Sequence, residues 1–301
     1  MKNPLHQTLY DRLRTQFGDH ITDAMVKVFG SPRKTTFRVN TIVTDDASVM
    51  ETLRNDAIAF ERVKDIPHAF VVKNKGDKEM LAHPLTTSGK IYLQGIASQL
   101  PPLVLAPTKS DLVLDLCAAP GSKTSQMAAL MHDQGTLIAC EENDIRVQKL
   151  QHTLDVQRVL HTEVKHIDST RLPEEWNGRF TKILADVPCS AEGRVDFSDV
   201  RTFKYWSEKN ITEHAKLQRR LLRAAVRALA PGGELVYSTC TLAPQENEQM
   251  ITWLLTEFPE LSLQPSALPL KDIKKTTAGT IVLPTVLHEG FFVAKVKKSD
   301  K

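Results

Sequence analysis

From about residue 110 onward, short and nearly continuous apolar runs alternate with longer amphipathic stretches. Runs of five or six residues, bounded by polar turn residues, are typical of strands that are buried on both faces of a parallel sheet. The intervening stretches have helical spacing, so the pattern indicates repeated βαβ units. The predicted strands are Leu112–Leu116, Thr136–Cys140, Glu163–Ile167, Lys182–Val187 and Glu234–Ser238.

The last part of the chain departs from this alternation. A helix over Leu217–Ala230 is predicted to end at Pro231-Gly232-Gly233, because these residues do not continue a helix. Thr280–Leu283 and Phe291–Val296 then predict a closing antiparallel hairpin. The predicted fold class is therefore α/β, with a doubly wound, mostly parallel, Rossmann-like sheet and a hairpin at its end.

The first hundred residues predict a small α/β domain that precedes this sheet. Leu5–Phe29 has apolar residues at helical spacing and is followed by the helix-breaking Gly30-Ser31-Pro32. The further predicted elements are a strand at Thr36–Val43, a helix at Ala47–Leu53, strands within Phe60–Val72, and a helix at Tyr92–Leu100 that is halted by Pro101-Pro102. We place the boundary near Ala106-Pro107, which gives domains of residues 1–105 and 106–301.

Composition excludes several classes of protein. The chain has 301 residues, of which 41% are hydrophobic, so it can bury a core without metals or disulfides. No apolar run is long enough for a membrane span, and the N-terminus lacks the apolar segment of a secretory signal. Four widely spaced cysteines without a Cys-x-x-Cys pair argue against a zinc cluster and against a disulfide scaffold. We expect a cytoplasmic protein with reduced thiols and no metal.

Charge is unevenly distributed, although the net charge is only +3. Residues 1–105 carry 14 basic and 11 acidic side chains, residues 106–270 carry 18 and 22, and residues 271–301 carry 7 and 3. Basic flanks suit a polyanionic partner, but solvated surface lysines explain them equally well. Arg33, Lys34 and Arg38 are the stronger candidates for phosphate contact. For the helix that carries Arg219 and Arg223, a solvated outer face is the better interpretation.

The turn after the first predicted strand has the position and the small residues of a ligand-binding loop. In an open parallel sheet, ligands bind beyond the carboxyl ends of the strands, where Asp115–Thr124 lies. A dinucleotide loop requires G-x-G-x-x-G, and only Gly121 is present; a phosphate loop requires glycine where Cys117 and Ser122 stand. The loop therefore lets a ligand approach the backbone but lacks the glycines of a pyrophosphate cradle.

Acidic residues follow three successive predicted strands. Glu141 ends the second strand run, Asp168 follows the third, and Asp186 lies near the end of the fourth. Acids at these positions suit a cofactor with a ribose, an adenine and a sulfonium cation but no phosphate, which describes S-adenosylmethionine. The alternative is that each acid caps the helix after it. That alternative explains any one of them more easily than all three.

Two cysteines lie just beyond predicted strands. Cys189 is in Pro188-Cys189-Ser190, and Cys240 is in Ser238-Thr239-Cys240-Thr241. If the fourth and fifth strands are neighbours, both thiols emerge side by side at the ligand edge of the sheet. Cysteines that serve only in packing belong within strands, as Cys140 does. Spacing alone fits either a reactive pair or two ordinary thiols.

Taken together, several segments resemble the motifs of the RNA 5-methylcytosine methyltransferases of the Sun/nucleolar-protein family. The motif segments are Asp115–Thr124, Asp186–Gly193, Tyr237–Thr241 and Gln245–Glu248. The similarity extends over roughly residues 32–296 and includes Phe37–Thr41, Gln94–Ser98 and Gly290–Phe292. The presence of both cysteine motifs is specific, because DNA cytosine-5 methyltransferases use only the proline-cysteine motif.

This resemblance implies an S-adenosylmethionine-dependent methyltransferase and a role for individual residues. Cys240 is implied to be the nucleophile that adds to carbon 6 of cytosine, and Cys189 to assist release of the methylated product. Asp186 is placed to touch the cytosine edge, and Lys123 to reach toward the reacting base. The implied cofactor positions are Cys117, Ala118, Ala119, Pro120, Gly121, Ser122, Lys123, Glu141, Asp168 and Asp186. Since only a thiolate is nucleophilic, we predict a lowered pKa for Cys240.

The expected partner is RNA, either tRNA or rRNA, bound by a monomer. A stacked cytosine is out of reach, so the target is expected to be single-stranded or flipped out. Two alternatives differ in function: a methyltransferase of the same sheet that acts on another substrate, and a catalytically silent RNA-binding or assembly factor. The first lacks its usual Asn/Asp-Pro-Pro-aromatic motif here, and the intact cysteine pair argues against the second.

Some residues depart from the family pattern. Ser122 replaces the commoner second glycine of the loop, Ala191 replaces a frequent glycine after Pro-Cys-Ser, and Glu289 stands where aspartate is frequent. The segment Arg194–Phe197 is less basic than is usual at that position. We therefore expect substrate contacts, and not the cysteine chemistry, to differ from those of relatives.

Overall fold

The computed structural model describes residues 4–204 and 206–300, with side chains from residue 7 onward. Its α-helices are α1 (Pro4–Phe17), α2 (Asp19–Phe29), α3 (Asp46–Asn55), α4 (Asp77–Ala82), α5 (Pro84–Thr87), α6 (Leu100–Leu105), α7 (Ser122–Leu130), α8 (Asp144–Val156), α9 (Glu208–Ala228) and α10 (Glu248–Glu257). Its strands are β1 (Thr36–Val39), β2 (Phe60–Arg62), β3 (Ala69–Val72), β4 (Ile91–Leu93), β5 (Leu112–Asp115), β6 (Thr136–Glu141), β7 (Thr162–His166), β8 (Phe180–Asp186), β9 (Leu229–Thr239), β10 (Leu261–Gln264), β11 (Ile273–Lys275), β12 (Thr280–Val282) and β13 (Phe291–Lys298).

A small antiparallel sheet forms the N-terminal domain. Its strand order is β2-β3-β1-β4. Val49 and Leu53 of α3 pack on this sheet together with Phe37 and Phe70, whose rings stack with centroids 5.3 Å apart. The α/β domain that the sequence predicts at the N-terminus is present.

The larger sheet has the predicted class of fold. Five strands are parallel, in the order β9-β8-β5-β6-β7. β13 pairs antiparallel with β9 and with β12, so the predicted closing hairpin is confirmed. From β5 the chain adds β6 and β7 on one side, and it then returns to add β8 and β9 on the other side of β5. The strand order therefore reverses between β5 and β8, which is the switch point of the sheet.

Hydrophobic clusters cover both faces of the larger sheet, and alternate residues of each strand face opposite sides. Leu114 belongs to the cluster formed with α9 and α10, and the preceding Val113 to the cluster formed with α6, α7 and α8. Leu9 and Met25, of α1 and α2, also belong to the first cluster. These contacts cross the boundary that we predict at residue 105, and that boundary stays a prediction. No helix in the described ranges has the length and apolar character needed to cross a bilayer.

Three helix predictions require correction. The single helical stretch predicted at Leu5–Phe29 is divided at Gly18, whose φ of +80° is outside the right-handed helical region. Tyr92–Leu100 is not one helix: it contains the end of β4, a turn and a 3₁₀ helix at Ala97–Gln99. α6 begins at Leu100, and Pro101 and Pro102 lie in its first turn, where N–H donors are not needed, instead of halting a helix. The helix predicted to begin at Leu217 begins at Glu208, and β9 starts before Pro231.

Candidate active site

A cleft of about 620 Å³ opens at the carboxyl ends of β5, β8 and β9, beside the switch point of the sheet. Its volume lies within the range of small-molecule sites. Residues of the N-terminal domain, among them Arg33 and Tyr92, also line it. The structure brings together in this cleft the four side chains that the sequence nominates for catalysis, namely Lys123, Asp186, Cys189 and Cys240.

The two cysteines form a close pair. β8 and β9 are neighbours, with Asp186 opposite Ser238, and the Sγ atoms of Cys189 and Cys240 lie 3.3 Å apart. The Gly193 amide donates to the Cys240 carbonyl oxygen at 3.0 Å, which ties the two loops together. The hydrogen bond between the thiols lowers the pKa of Cys240 and raises that of Cys189 well above its usual value. The pKa of Cys240 is thus shifted in the direction that we predict for it.

Lys123 and Asp186 form an ion pair beside these thiols. The Lys123 Nζ lies 2.7 Å from an Asp186 carboxylate oxygen and also donates to Ser98 Oγ at 3.0 Å. Ser238 Oγ donates to the other Asp186 oxygen at 2.7 Å. Burial lowers the pKa of Lys123, but the Asp186 carboxylate outweighs it, so the pKa is raised overall. Lys123 also lies 5.6 Å from the Phe291 ring centroid, so the cation has a charged and an aromatic neighbour.

The loop between β5 and α7 is held close to the sheet. The Ala118 amide donates to the Cys140 carbonyl oxygen at 2.9 Å, and the Gly121 amide donates to the Ala118 carbonyl oxygen at 2.8 Å. Gly121 has a φ of +103°, and a Cβ there would lie 3.0 Å from the Thr153 side chain. Glycine is thus favoured by the backbone conformation, and any larger residue would crowd Thr153. Cys117, Ala118, Ala119, Pro120, Ser122 and Lys123 line the cleft.

A buried carboxyl begins this loop. Asp115 accepts a hydrogen bond from Thr124 Oγ1 at 2.8 Å through Oδ2, whereas its Oδ1 is buried with no hydrogen-bond partner among the described residues. Burial raises the pKa of Asp115 to about 7. A carboxyl oxygen without a partner at the wall of a cleft is available to a donor group of a ligand.

The acids after β6 and β7 border a smaller hollow beside the cleft. Glu141 accepts hydrogen bonds from the amides of Glu142 and Asn143, at 3.1 and 3.0 Å, and pairs with Arg146 at 3.1 Å. Asp168 accepts from the Thr170 amide at 2.8 Å. Glu141 and Asp168 line the hollow, which shares Cys117, Arg146 and Pro188 with the main cleft. The helix after Glu141 is capped by Asn143, so Glu141 is not its cap.

The N-terminal basic residues have different surroundings from one another. Arg38 is 3% exposed, donates to Gln94 Oε1 at 2.9 Å and to Ser125 Oγ at 2.6 Å, and so fastens the small domain to α7. The prediction that Arg38 contacts phosphate is therefore wrong. Arg33 is partly buried and donates to the Gly193 carbonyl oxygen at 2.9 Å, while Lys34 is exposed at the cleft.

Residues 102–297 match the family described as 16S rRNA methyltransferase RsmB/F. The chain belongs to this family. Residues 6–79 match the ferredoxin-like domain described for RsmF/B-like methyltransferases. The RsmB/F match contains both cysteines, the Lys123–Asp186 pair and the loop after β5, so the family resemblance that the motifs indicate is confirmed.

Individual relatives of this chain support its assignment to the RsmB/F family. Ribosomal RNA small subunit methyltransferase F of Shewanella sp. (strain ANA-3) is 33% identical over 98% of this chain and 63% of that protein. The protein of the same name from Cronobacter sakazakii (strain ATCC BAA-894) is 35% identical over 92% of this chain and 59% of that protein. The chain thus spans about three fifths of the length of these curated relatives.

Solved structures of similar proteins share the fold. A methyltransferase homolog from Pyrococcus horikoshii superposes with a TM-score of 0.83 and 30% identity, over 96% of this chain and 93% of that one. The structure of NSun6 from Pyrococcus horikoshii, determined with SFG, gives a TM-score of 0.85 at 22% identity, over 97% of this chain and 98% of that one.

Sequence reasoning misses the polar residues that support the cysteine loops in this RsmB/F member. The Glu192 side chain is fully buried, accepts from Trp206 Nε1 at 2.9 Å and from Thr241 Oγ1 at 3.1 Å, and pairs with Arg12 of α1. Glu246 is also fully buried and contacts the segment after Cys189. The one available signal was the presence of acids inside both family motifs, since neither acid follows a strand directly.

Proposed function

We propose that this chain transfers a methyl group from S-adenosylmethionine to carbon 5 of a cytosine in RNA, and that the RNA is small-subunit rRNA rather than tRNA. The observation that carries the proposal is the approach of the Cys189 and Cys240 sulfurs to 3.3 Å beside the Lys123–Asp186 pair. Relatives at 33% and 35% identity are named for small-subunit rRNA, which supports the choice of RNA. Neither a methyltransferase for amines nor a silent factor requires paired thiols.

The residues of the cleft fit S-adenosylmethionine. The orphaned oxygen of Asp115 suits a donor or a cation, and the small side chains of Ala118, Ala119 and Ser122 leave the backbone accessible. The hollow bordered by Glu141 and Asp168 suits hydroxyl and amine groups. When bound, S-adenosylmethionine supplies an electrophilic methyl group. We propose that it is held by Cys117, Ala118, Ala119, Pro120, Gly121, Ser122, Lys123, Glu141, Asp168 and Asp186.

Cys240 makes carbon 5 reactive. Its thiolate adds to carbon 6 of cytosine, so that a bond forms between Sγ and carbon 6 and the electrons of the 5,6 double bond move into the ring. Lys123 and Asp186 provide a donor and an acceptor, which stabilise the charge that develops on the ring. The lowered pKa of Cys240 increases the fraction of thiolate that begins the reaction.

Cys189 assists release of the product. After methylation, the proton on carbon 5 is lost to water, its electrons restore the double bond, and the bond from carbon 6 to Cys240 breaks. The departing sulfur becomes a thiolate, and the Cys189 thiol is placed to donate a hydrogen bond to it at 3.3 Å. A hydrogen bond that lowers the pKa of a thiol also makes it a better leaving group. Loss of Cys189 should therefore leave RNA attached to Cys240.

The surroundings of the thiols indicate how the RNA binds. Both sulfurs lie within a cleft between two domains, so we propose that the target cytosine leaves its stack to reach them. Arg33 and Lys34, at the rim formed by the N-terminal domain, are placed to contact phosphates. We further propose that the protein acts as a monomer in the cytoplasm.

Methyl transfer to bulk rRNA with a labelled donor tests the proposal. We expect the wild-type protein to label carbon 5 of cytosine, identified after digestion to nucleosides, and Cys240→Ala to give no label. Cys189→Ala should accumulate an RNA adduct that survives denaturing electrophoresis. Label on any other atom would favour a methyltransferase for another substrate, and label that persists in Cys240→Ala would refute the assignment of the nucleophile. No label with rRNA or tRNA would favour the silent factor.

A further inference from the structure

A buried carboxyl that the proposed chemistry does not use lies beside the Cys189 loop. Glu246 is 0% exposed and belongs to the turn between β9 and α10. Its Oε2 accepts from the Ser190 amide at 3.1 Å and from Gln218 Nε2 at 2.8 Å, and its Oε1 accepts from Ser190 Oγ. Gln218 also donates to the Pro188 carbonyl oxygen at 2.9 Å. The carboxyl therefore holds the backbone on both sides of Cys189, directly at Ser190 and through Gln218 at Pro188.

The next residue holds the other cysteine in the same way. Asn247 Nδ2 donates to the Thr241 carbonyl oxygen at 3.0 Å, and Asn247 Oδ1 accepts from Thr239 Oγ1 at 2.6 Å. Thr239 and Thr241 are the two neighbours of Cys240 in the chain. Two consecutive residues of one turn thus fix the segments that carry both thiols. The hydroxyls of Ser190 and Thr241, 2.7 Å apart, join the two segments directly.

We propose that Glu246 is a positioning residue. By holding Ser190 it sets the distance between the Cys189 and Cys240 sulfurs, and with it the rate at which methylated RNA is released from Cys240. This inference rests on the function proposed above, because it assigns Glu246 to the release step of that reaction. Glu246 acts through Ser190 and Gln218, which hold the backbone on either side of Cys189.

The effect of Glu246 follows from the geometry of the thiol pair. The Cys189–Cys240 hydrogen bond spans 3.3 Å, and misplacement of a catalytic group by about 1 Å costs roughly a hundredfold in rate. Without the carboxyl, the Ser190 amide and the Gln218 amide lose an acceptor inside the protein, so both groups must move or find water. The segment of Cys189 is then free to move away from Cys240. The thiolate is left with the burial that raises its pKa and without the hydrogen bond that lowers it.

Glu246→Ala and Glu246→Gln test the inference, with Glu248→Gln as the matched control. Glu248 lies two residues further along the chain, as the first residue of α10, and no hydrogen bond joins it to Ser190 among the described residues. The first measurement uses the protein alone: the rate at which iodoacetamide alkylates Cys240, followed against pH by mass spectrometry of its peptide. We expect Glu246→Ala to move the midpoint upward and Glu248→Gln to leave it unchanged. The second measurement is the fraction of protein in a denaturant-stable RNA adduct during turnover, which we expect to rise about tenfold or more in Glu246→Ala.

The outcomes separate this inference from the proposed function. Glu246→Ala that loses turnover with an unchanged alkylation profile and no adduct would overturn the positioning role, as would full activity. If Glu246→Ala does not fold, judged by circular dichroism, Glu246→Gln keeps one acceptor oxygen and should show both effects at smaller size; a Gln variant that behaves as wild type would also overturn it. If the wild-type protein methylates no RNA and Cys189→Ala traps none, the proposed function fails, while the alkylation profile still decides whether Glu246 sets the thiol pair.

Discussion

Replacing Cys189 by alanine removes the hydrogen bond that its thiol gives to the Cys240 sulfur across 3.3 Å. A hydrogen bond to a charged group contributes about 1.5–3 kcal/mol. A thiol is a weak donor, so the lower figure applies, and about 1.4 kcal/mol corresponds to one pH unit. We therefore expect the pKa of Cys240 to rise by about one in Cys189→Ala. Burial, which raises this pKa, is then opposed by the positive charge of Arg194 but no longer by the hydrogen bond, so the midpoint should move upward.

The assay is the pH dependence of Cys240 alkylation in the absence of RNA. At a pH below the Cys240 pKa of both proteins, the thiolate fraction in Cys189→Ala is about tenfold lower than in the wild type. A more basic thiolate is about threefold more nucleophilic, so the alkylation rate at pH 7 should fall only about threefold. Cys140→Ala is the control, because Cys140 is buried within β6 with a pKa raised to about 12. A midpoint that stays in place or moves downward in Cys189→Ala would refute the role of the Cys189 thiol in lowering the pKa of Cys240.

Three further predictions follow from the backbone and from buried carboxyls. Gly121→Ala should weaken the binding of S-adenosylhomocysteine about tenfold, measured by calorimetry, because Gly121 has a φ of +103° and a Cβ there would crowd α8. Gly178→Ala is the control, because Gly178 also has a positive φ, of +64°, but a Cβ there would meet no other atom. Ala191→Gly should stabilise the protein by about 0.5–1 kcal/mol in urea unfolding, since Ala191 has a φ of +58°; an unchanged midpoint would contradict this. Burial raises the pKa of Asp115 and of Glu246 to about 7, so both acids favour the folded state while protonated and lose that advantage as pH rises. Each should cost about 1.3 kcal/mol of unfolding free energy between pH 6 and pH 8, and Asp115→Asn should flatten the dependence measured by urea titration.

The sequence predicts the larger sheet well because its strands are buried on both faces. A strand buried on both faces is apolar at nearly every position, so a run such as Leu112–Leu116 is easily distinguished from its surroundings. The observed strand β5 occupies nearly the same residues. The N-terminal region is harder. The segment Tyr92–Leu100 has enough apolar residues for one helix, but Tyr92 and Leu93 pair with β1 as the end of β4, which limits helical structure to the residues after them.

The site residues also divide into those that the sequence predicts and those that it does not. The sequence predicts Cys189, Cys240 and Asp186 as site residues because the two cysteines follow strands and Asp186 ends one. The rule that ligands bind beyond strand ends needs no knowledge of distant contacts. For Arg38, the sequence predicts contact with phosphate. The strand instead presents all four of its residues to packing, and Gln94 and Ser125, far away in sequence, accept from the guanidinium. Glu192 and Glu246 were missed for the same reason, since their partners come from other parts of the chain.

The separation of the two thiols cannot come from the sheet alone. Neighbouring strands lie about 4.8 Å apart, and side chains that leave two parallel strands keep roughly that spacing. The sulfurs lie 3.3 Å apart, which is closer than that spacing. Three hydrogen bonds join the two loops that carry the cysteines. The Gly193 amide donates to the Cys240 carbonyl oxygen, the Ser190 and Thr241 hydroxyls bond to each other, and the Glu246 carboxyl accepts from the Ser190 amide. Only the last carries an ionisable group that burial opposes, which is an expensive choice for a purely structural link and is consistent with a demand on the exact placement of Cys189.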